Sequence, residues 1–277
     1  MLINPIYACT SFVIYSGNDT LYAMNFDYPD REISFIIELE NDSVKILKSC
    51  FLEGGMYKCF NGLNNSGIFS TCQMLFPQAS SPPPQPNQIS LFDAWFYSLH
   101  YFNGIDIFQE YLSSTETTVY QESGSFHSLM ADIQGNAIVL ETGETQNEIT
   151  SIENGFHVMT NFPIHQFAGQ PYTEVSGVGA SRYIVTYEYL MNHYESFNYT
   201  NAWKALEESL QHTGSYKTQC SMVFNPKTNE IFLALNRDFT HIWRILIDEA
   251  IIETYSGFNE YSYLSFNDDY ISEYDLF

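Results

Sequence analysis

Strand-like and helix-like stretches are grouped along this chain instead of alternating, and this grouping restricts its fold more than any other feature. The first third is rich in β-branched and aromatic residues. Turn residues break it into short runs, which predicts strands joined by hairpins. The predicted strands in this part lie at residues 11–15, 20–26, 34–40, 43–49 and 67–75.

Two pairs of helices interrupt the strands. A proline-rich loop at 80–88 precedes the first pair, and it cannot join the interior of a sheet. The predicted helices span 89–102, 105–114, 180–192 and 200–212, and Thr200 is placed to cap the last one. Strands are predicted again at 126–142, 155–163 and 219–236. This segregated order favours an α+β fold of stacked layers over a doubly wound parallel sheet.

The chain is strongly acidic, with 33 Asp and Glu against 10 Lys and Arg and a formal net charge of −23. Such a surface repels phosphates, so we expect neither nucleic acid nor an anionic membrane as a partner. Aromatic residues make up 17% of the chain, which suits a well-packed protein with large side chains to spare for a pocket.

The five cysteines are odd in number and form no C-x-x-C pair. At this length we expect neither a disulfide scaffold nor a zinc site, although a Cys50–Cys59 bridge stays open. The first eight residues lack a basic start and are too short for the apolar core of a signal peptide. No apolar run approaches the roughly 20 residues of a membrane helix. We therefore expect a soluble, cytoplasmic protein.

Cys9 is the residue with the most distinctive chemical potential. A thiol attacks as the thiolate and needs a base. If Cys9 became the first residue of the mature protein, its own α-amino group would supply that base. Exposing it requires cleavage of the Ala8–Cys9 bond, which Cys9 could perform itself by attacking the preceding carbonyl. Taken without its neighbours, Cys9 is better interpreted as a small buried apolar side chain.

Five segments around and beyond Cys9 resemble, in order, the motifs of the N-terminal-nucleophile amidases. They are Cys9-Thr10-Ser11 with Asn25-Phe26-Asp27, "NGLNNSG" ending at Gly67, "ADIQGNAIVLE" at 131–141, "VMTNFP" with Asn161, and "ASRYIV" with Arg182. The resemblance covers residues 9 to 236. This superfamily includes choloylglycine hydrolases, penicillin V acylases, acid ceramidase-like amidases and penicillin acyltransferases. It implies a four-layer αββα sandwich of two stacked antiparallel sheets in a single domain.

The resemblance also implies roles for four residues. Cys9 is the nucleophile, and Asp27 holds the α-amino group or the thiol in place. Asn161 donates its side-chain amide to the oxyanion, and Arg182 supports the nucleophile electrostatically. Three of these have simpler alternatives: a strand-end aspartate in a turn, a turn asparagine before Pro163, and a helix-surface arginine.

Two positions depart from the family pattern. Met24 stands directly before Asn25, where several branches of the family carry an arginine. The basic group expected beside the cysteine is therefore absent here, so more of the electrostatic support of Cys9 falls to Arg182. Met74 aligns with the oxyanion asparagine of bile salt hydrolases. The second oxyanion donor is then a backbone N–H or, if the register slips by one residue, Gln73. We expect Asn25 and Gln73 to act as supporting residues.

These observations together predict a cysteine amidase that cleaves linear amide bonds of small N-acyl compounds through a thioester, without metal or organic cofactor. Residues 1–8 are predicted to be a propeptide. Residues 9–277 are predicted to form one domain with an acidic, aromatic tail at 253–277 that packs by its rings, and a homo-oligomer stays open. An acyltransferase on the same scaffold and a catalytically silent, unprocessed binding protein are the alternatives.

Overall fold

The structure is a computed structural model that describes residues 9–17, 19–40, 44–77, 84–121, 125–143, 146–266 and 270–276. The predicted propeptide, residues 1–8, lies outside the described residues. So does the part of the proline-rich loop before residue 84.

The strands and helices are named in chain order. The strands are β1 (Thr10–Ser16), β2 (Asp19–Asp27), β3 (Ile33–Leu39), β4 (Lys45–Glu53), β5 (Met56–Asn64), β6 (Phe69–Thr71), β7 (Gln73–Met74), β8 (Gln88–Ser90), β9 (Thr118–Tyr120), β10 (Phe126–Ala131), β11 (Ala137–Thr142), β12 (Asn147–Ser151), β13 (Phe156–Met159), β14 (Thr218–Asn225), β15 (Glu230–Leu235), β16 (Ile242–Leu246), β17 (Ile251–Ser256), β18 (Tyr263–Ser265) and β19 (Ile271–Ser272). The helices are α1 (Leu91–His100), α2 (Ile105–Ser114), α3 (Ala180–His193) and α4 (Tyr199–Glu208).

Two large antiparallel sheets form the centre of the molecule. The first sheet has eight strands in the order β13-β1-β2-β14-β15-β16-β17-β18. The second has nine strands: eight follow the order β12-β11-β10-β6-β5-β4-β3-β19, and the ninth, β7, pairs with β10. Apolar side chains of both sheets, among them Phe12, Tyr22 and Phe69, form one buried cluster, so the sheets are stacked face to face.

The helices cover the outer faces of the two sheets. Trp95 of α1 donates its indole N–H to the carbonyl of Ser70 in the second sheet. Asn25 of β2 donates to the carbonyl of Leu206 in α4, which joins that helix to the first sheet. The α+β, four-layer αββα sandwich that the sequence predicts is therefore confirmed.

Local signals explain most element boundaries, with a few corrections. Ser90 and Asp93 form a capping box at the start of α1. Asn198, not Thr200, caps α4, so that prediction was wrong by two residues. The single strand predicted at 67–75 is divided at Cys72 into β6 and β7. Eight strands were not predicted: β5, β8, β9, β12, β16, β17, β18 and β19.

The C-terminal tail is more closely joined to the fold than its composition indicates. Strand β18 pairs with β17 at the edge of the first sheet, and β19 pairs with β3 at the edge of the second. The rings of Tyr261, Tyr263 and Tyr274 are 68%, 56% and 64% exposed. Backbone pairing therefore attaches the tail, and the expectation that it packs by its rings is wrong for these tyrosines.

Cys50 and Cys59 are joined by a disulfide between neighbouring strands β4 and β5. The register of this strand pair shifts between Ser49 and Cys50, so the disulfide lies beside a β-bulge. Cys9, Cys72 and Cys220 are free and buried. None of the helices in the described parts of the chain has the length and apolar character needed to cross a membrane.

Candidate active site

Cys9 lies immediately before β1, the second strand of the first sheet, between β13 and β2. It is 7% exposed. Its backbone N–H donates to Oδ1 of Asn161 at 2.9 Å, and its Sγ is 3.8 Å from the carbonyl oxygen of Asp27. The two neighbouring strands therefore bring two of the predicted site residues to the cysteine.

Arg182 lies in the first turn of α3 and is buried. Its Nη1 donates to the carbonyl of Cys9 at 2.6 Å and to Oγ1 of Thr10 at 2.7 Å. Its Nη2 donates to Oδ1 of Asn161 at 2.9 Å. A cation is disfavoured at a helix N-terminus, so these acceptors, not the helix, account for its position. The alternative of a helix-surface ion pair does not fit.

Gly179, which precedes α3, makes this approach of Arg182 possible. Its φ is +85°, and a Cβ there would lie 2.7 Å from Nη2 of Arg182 and 2.9 Å from Cβ of Thr160. Both the backbone conformation and the space favour glycine.

Asn161 is fully buried, and its orientation is fixed by partners on both sides of the amide. Oδ1 accepts from Cys9 N–H and from Arg182, while Nδ2 donates to the carbonyl of Met74 at 2.7 Å. Two donors at Oδ1 and one acceptor at Nδ2 leave no ambiguity between the two ends of the side chain. A simple turn asparagine would not be enclosed in this way.

Asp27 is 1% exposed. Thr218 donates its hydroxyl to Oδ1, while Oδ2 has no hydrogen-bond partner among the described residues and lies 3.6 Å from Nη1 of Arg182. Burial raises the pKa of Asp27 to about 7, although Arg182 and Thr218 oppose the rise. Asp27 can therefore take up or release a proton near neutral pH.

Burial also raises the pKa of the Cys9 thiol, to about 12. The charge of Asp27 adds to this rise, and Arg182 opposes it. The thiol is therefore protonated at neutral pH in the chain as described, so a nearby base is needed before it can attack.

Cys9 lies at the wall of a cavity of about 100 Å³. Asp27, Gln73 and Asn161 share this wall. Aromatic rings dominate the rest of it, and Phe26 and Phe60 stack with their centroids 3.6 Å apart. The other aromatic residues at the cavity are Tyr28, Phe51, Phe92 and Phe126.

The two predicted supporting residues differ in location. Gln73 lines the cavity; its Nε2 donates to Oγ of Ser11 at 2.7 Å, and its buried Oε1 has no hydrogen-bond partner in the described structure. Asn25 does not line the cavity. It joins β2 to α4 through Leu206 and accepts from Ser221, so any support it gives to the site passes through the scaffold.

Met24 is fully buried between the sheets, where Nδ2 of Asn61 lies 3.5 Å from its sulfur. It brings no charge to this position. Arg182 is the cation that contacts Cys9 in the described part of the chain. Nowhere in that part do three or more His, Cys, Asp or Glu side chains come together in a way that could hold a metal ion.

Three solved structures are similar to this one. A variant of conjugated bile acid hydrolase from Clostridium perfringens matches with a TM-score of 0.68 and 16% identity, over 94% of this chain and 97% of the other. Penicillin V acylase from Agrobacterium tumefaciens matches with a TM-score of 0.66 and 13% identity, over 89% and 90%. This is the N-terminal-nucleophile hydrolase fold.

A third structure with this fold is a Caenorhabditis elegans ortholog of N-acylethanolamine-hydrolyzing acid amidase. It matches with a TM-score of 0.51 and 14% identity, over 79% of this chain and 93% of the other. A scan against protein-family models finds no match, and neither does a search of curated proteins. The likeness to these proteins therefore lies in the architecture and not in the overall sequence.

Sequence reasoning did not assign roles to three groups in and around the site. Thr218 donates to Asp27 from the neighbouring strand β14. His127 and Glu141 lie 3.0 Å apart, and His127 also reaches the carbonyl of Thr160, directly before Asn161. The acidic end of "ADIQGNAIVLE" was the available signal for Glu141, but nothing local in the sequence connects it to His127.

Proposed function

We propose that this chain is an N-terminal-nucleophile cysteine amidase that hydrolyses linear amide bonds of small N-acyl compounds. One observation carries the proposal: the N–H of Cys9 and the guanidinium of Arg182 meet on the same Asn161 oxygen, beside an aromatic cavity. A structural cysteine needs no such arrangement. The shared fold with two amide-cleaving enzymes and an acylase supports it.

Activation is proposed to occur by cleavage at Ala8–Cys9. The thiol of Cys9 gives its proton to a base and attacks the Ala8 carbonyl, forming a thioester as the Ala8–Cys9 C–N bond breaks and the nitrogen takes a proton. Water then hydrolyses the thioester and releases residues 1–8. Asp27, with a pKa of about 7, is suited to accept the thiol proton.

In the mature protein the free α-amino group of Cys9 is the base. It accepts the thiol proton while Sγ attacks the substrate carbonyl, and the proton then passes to the leaving amine. Water hydrolyses the resulting thioester to a carboxylic acid. Asn161 uses one hydrogen of Nδ2 on Met74, and its second hydrogen is proposed to stabilise the oxyanion.

The cavity supports a small substrate with an apolar acyl group. Its volume is about 100 Å³ and its wall is rich in aromatic rings. The carboxamide end of the substrate lies towards Cys9, with its acyl group among the rings of Phe26, Phe60 and Phe126. No nucleic acid or metal is part of this proposal.

The decisive experiment is the intact mass of the purified full chain, as wild type and as Cys9→Ala. The wild type is expected to lose residues 1–8, and Cys9→Ala is expected to keep them. A wild type that stays full length after prolonged incubation would contradict self-cleavage. It would favour the silent binding protein, for which the uncharged Met24 is the supporting observation.

Activity is then measured on the processed protein with a panel of N-acyl amides that differ in acyl size. Release of the free acid indicates hydrolysis. Transfer of the acyl group to an added amine in preference to water would instead indicate an acyltransferase.

A further inference from the structure

Glu141 is a completely buried carboxylate that is surrounded by donors. Its Oε1 accepts from Nδ1 of His127 at 3.0 Å and from the backbone N–H of Ile164 at 3.1 Å. Its Oε2 accepts from the backbone N–H of His165 at 2.9 Å and from the ring of His165 at 2.7 Å. Four donors stabilise the charged form and make this group a fixed anion.

His127 is equally buried, and both of its ring nitrogens face acceptors. Nδ1 faces Glu141, and Nε2 lies 2.6 Å from the carbonyl oxygen of Thr160. A neutral imidazole has one N–H and can satisfy only one acceptor, so the geometry requires the doubly protonated ring. His127 and Glu141 therefore form a buried ion pair.

This ion pair holds a short segment of chain at two points. His127 binds the carbonyl of Thr160, which belongs to the peptide unit that ends in Asn161. Glu141 binds the N–H of Ile164, three residues after Asn161.

The same strand also places the partner of the Asn161 amide. Phe126 and His127 of β10 pair with Met74 and Gln73 of β7. The Met74 carbonyl accepts from Nδ2 of Asn161. Strand β10 thus fixes both the backbone of Asn161, through His127, and the acceptor that orients its side chain.

We propose that the His127–Glu141 ion pair is the positioning group for Asn161, and that through Asn161 it sets the placement of the Cys9 N–H and of Arg182. His165 is the outer member of this arrangement, since its side chain is 29% exposed. The inference deepens the proposed function, on which its catalytic readout rests. It assigns His127 and Glu141 no contact with substrate.

The test compares His127→Gln and Glu141→Gln with the matched control His100→Gln. His100 is also a buried histidine that lies 2.7 Å from a carboxylate, Glu40, whose side chain is 31% exposed, and it contacts none of the site residues. In the two site variants kcat is expected to fall by about 100-fold with KM little changed, the cost of misplacing a reacting group by about 1 Å. His100→Gln is expected to keep the wild-type kcat.

A second readout does not depend on amide hydrolysis. Alkylation of Cys9 by iodoacetamide is followed against pH on the peptide that carries Cys9. In His127→Gln the profile is expected to shift upward by about half a pH unit or more, because Asn161 no longer holds Arg182 near the thiol. His100→Gln is expected to match the wild type.

These outcomes separate the two proposals. If the wild type hydrolyses no amide but the alkylation profile shifts in His127→Gln alone, the proposed function fails and the positioning role stands. If both kcat and the profile are the same in His127→Gln and His100→Gln, the positioning role is overturned. Should His127→Gln not fold, His165→Ala removes one surface-side donor of Glu141. It is then decisive: about tenfold lower kcat supports the role, and unchanged kcat refutes it.

Discussion

Asp27 and Glu141 are two carboxylates at almost the same depth in this protein, 1% and 0% exposed, and they differ in the donors that they meet. Glu141 accepts four hydrogen bonds, and its pKa falls to about 2 although burial opposes the fall. Asp27 accepts one, from Thr218, and burial raises its pKa to about 7. Burial alone therefore does not decide the charge of a carboxylate here.

The contrast distinguishes a structural anion from a chemical one. Glu141, with a pKa of about 2, stays ionised near neutral pH, so it can hold the segment around Asn161 but does not exchange protons there. Asp27 changes its protonation near neutrality and lies beside Cys9, which suits a group that takes part in the reaction. The following variants test this distinction.

The largest expected effect is on activity. Asp27→Asn keeps the shape of the side chain but removes the proton-accepting oxygen beside Cys9. We expect the rate of self-cleavage to fall by about 10²–10⁴-fold, the usual range for loss of a general base. Mass spectrometry follows the loss of residues 1–8 against time, and a rate within tenfold of the wild type contradicts the role.

The next effect is on stability. Glu141→Gln leaves His127 as a buried cation without its anion, which typically costs about 3–5 kcal/mol. Urea unfolding in the Cys9→Ala background, where the chain stays full length, measures the loss. Asp27→Asn in the same background is the matched control and is expected to lose less stability, because Arg182 keeps three hydrogen-bond acceptors and the removed carboxylate is one that burial disfavours. Equal losses of stability in the two variants would contradict the distinction between a structural Glu141 and a chemical Asp27.

The pH dependence of stability provides a third test with opposite signs. The pKa of Glu141 is lowered by folding, from 4.5 to about 2, so its stabilisation is present above pH 4.5 and is lost as the pH falls towards 2. The pKa of Asp27 is raised, from 3.8 to about 7, so its protonated form favours the folded state below pH 3.8, and this contribution is lost as the pH rises to 7. Difference curves against Glu141→Gln and Asp27→Asn should have opposite slopes, in windows that overlap only between pH 3.8 and 4.5.

The smallest effect concerns Thr218, the one hydrogen-bond donor to Asp27 in the described structure. Thr218→Val removes a hydroxyl that favours the ionised carboxylate, so the pKa of Asp27 rises further. The pH midpoint of self-cleavage should then move upward by about one unit, as a hydrogen bond to a charged group is worth about 1.5–3 kcal/mol. Thr218→Ser keeps the hydroxyl and should retain the wild-type midpoint; a shift in both variants would assign the effect to packing.

Local patterns in the sequence predict much of this fold. The hairpin of β1 and β2, the helix pairs and the hairpin of β14 and β15 carry clear turn or periodicity signals. Strand β5 was not predicted because its Asn61, Gly62 and Asn64 are residue types typical of turns. Its pairing with β4 and β6 makes it a strand. Strand β19 has two residues and depends on β3 for its pairing.

Sequence reasoning likewise predicts only part of the candidate site. Cys9, Asp27, Asn161 and Arg182 lie in motif-like segments, so sequence reasoning reaches them. The connection of His127 to Thr160 joins residues 33 positions apart, and that of Thr218 to Asp27 joins residues 191 apart. Such contacts are set by the stacking of sheets and the order of strands, which no local pattern contains.

The sequence separation of the site residues also determines how long after Cys9 its partners are synthesised. Cys9 is bound by groups 152 and 173 residues further on, and Asp27 by one 191 residues further on. A ribosome adds roughly 5–20 residues per second, so the nucleophile emerges on the order of 10 to 40 s before the last of these partners. During that interval the growing chain carries an unassembled thiol, and the proposed self-cleavage would become possible only after most of the sandwich has been made.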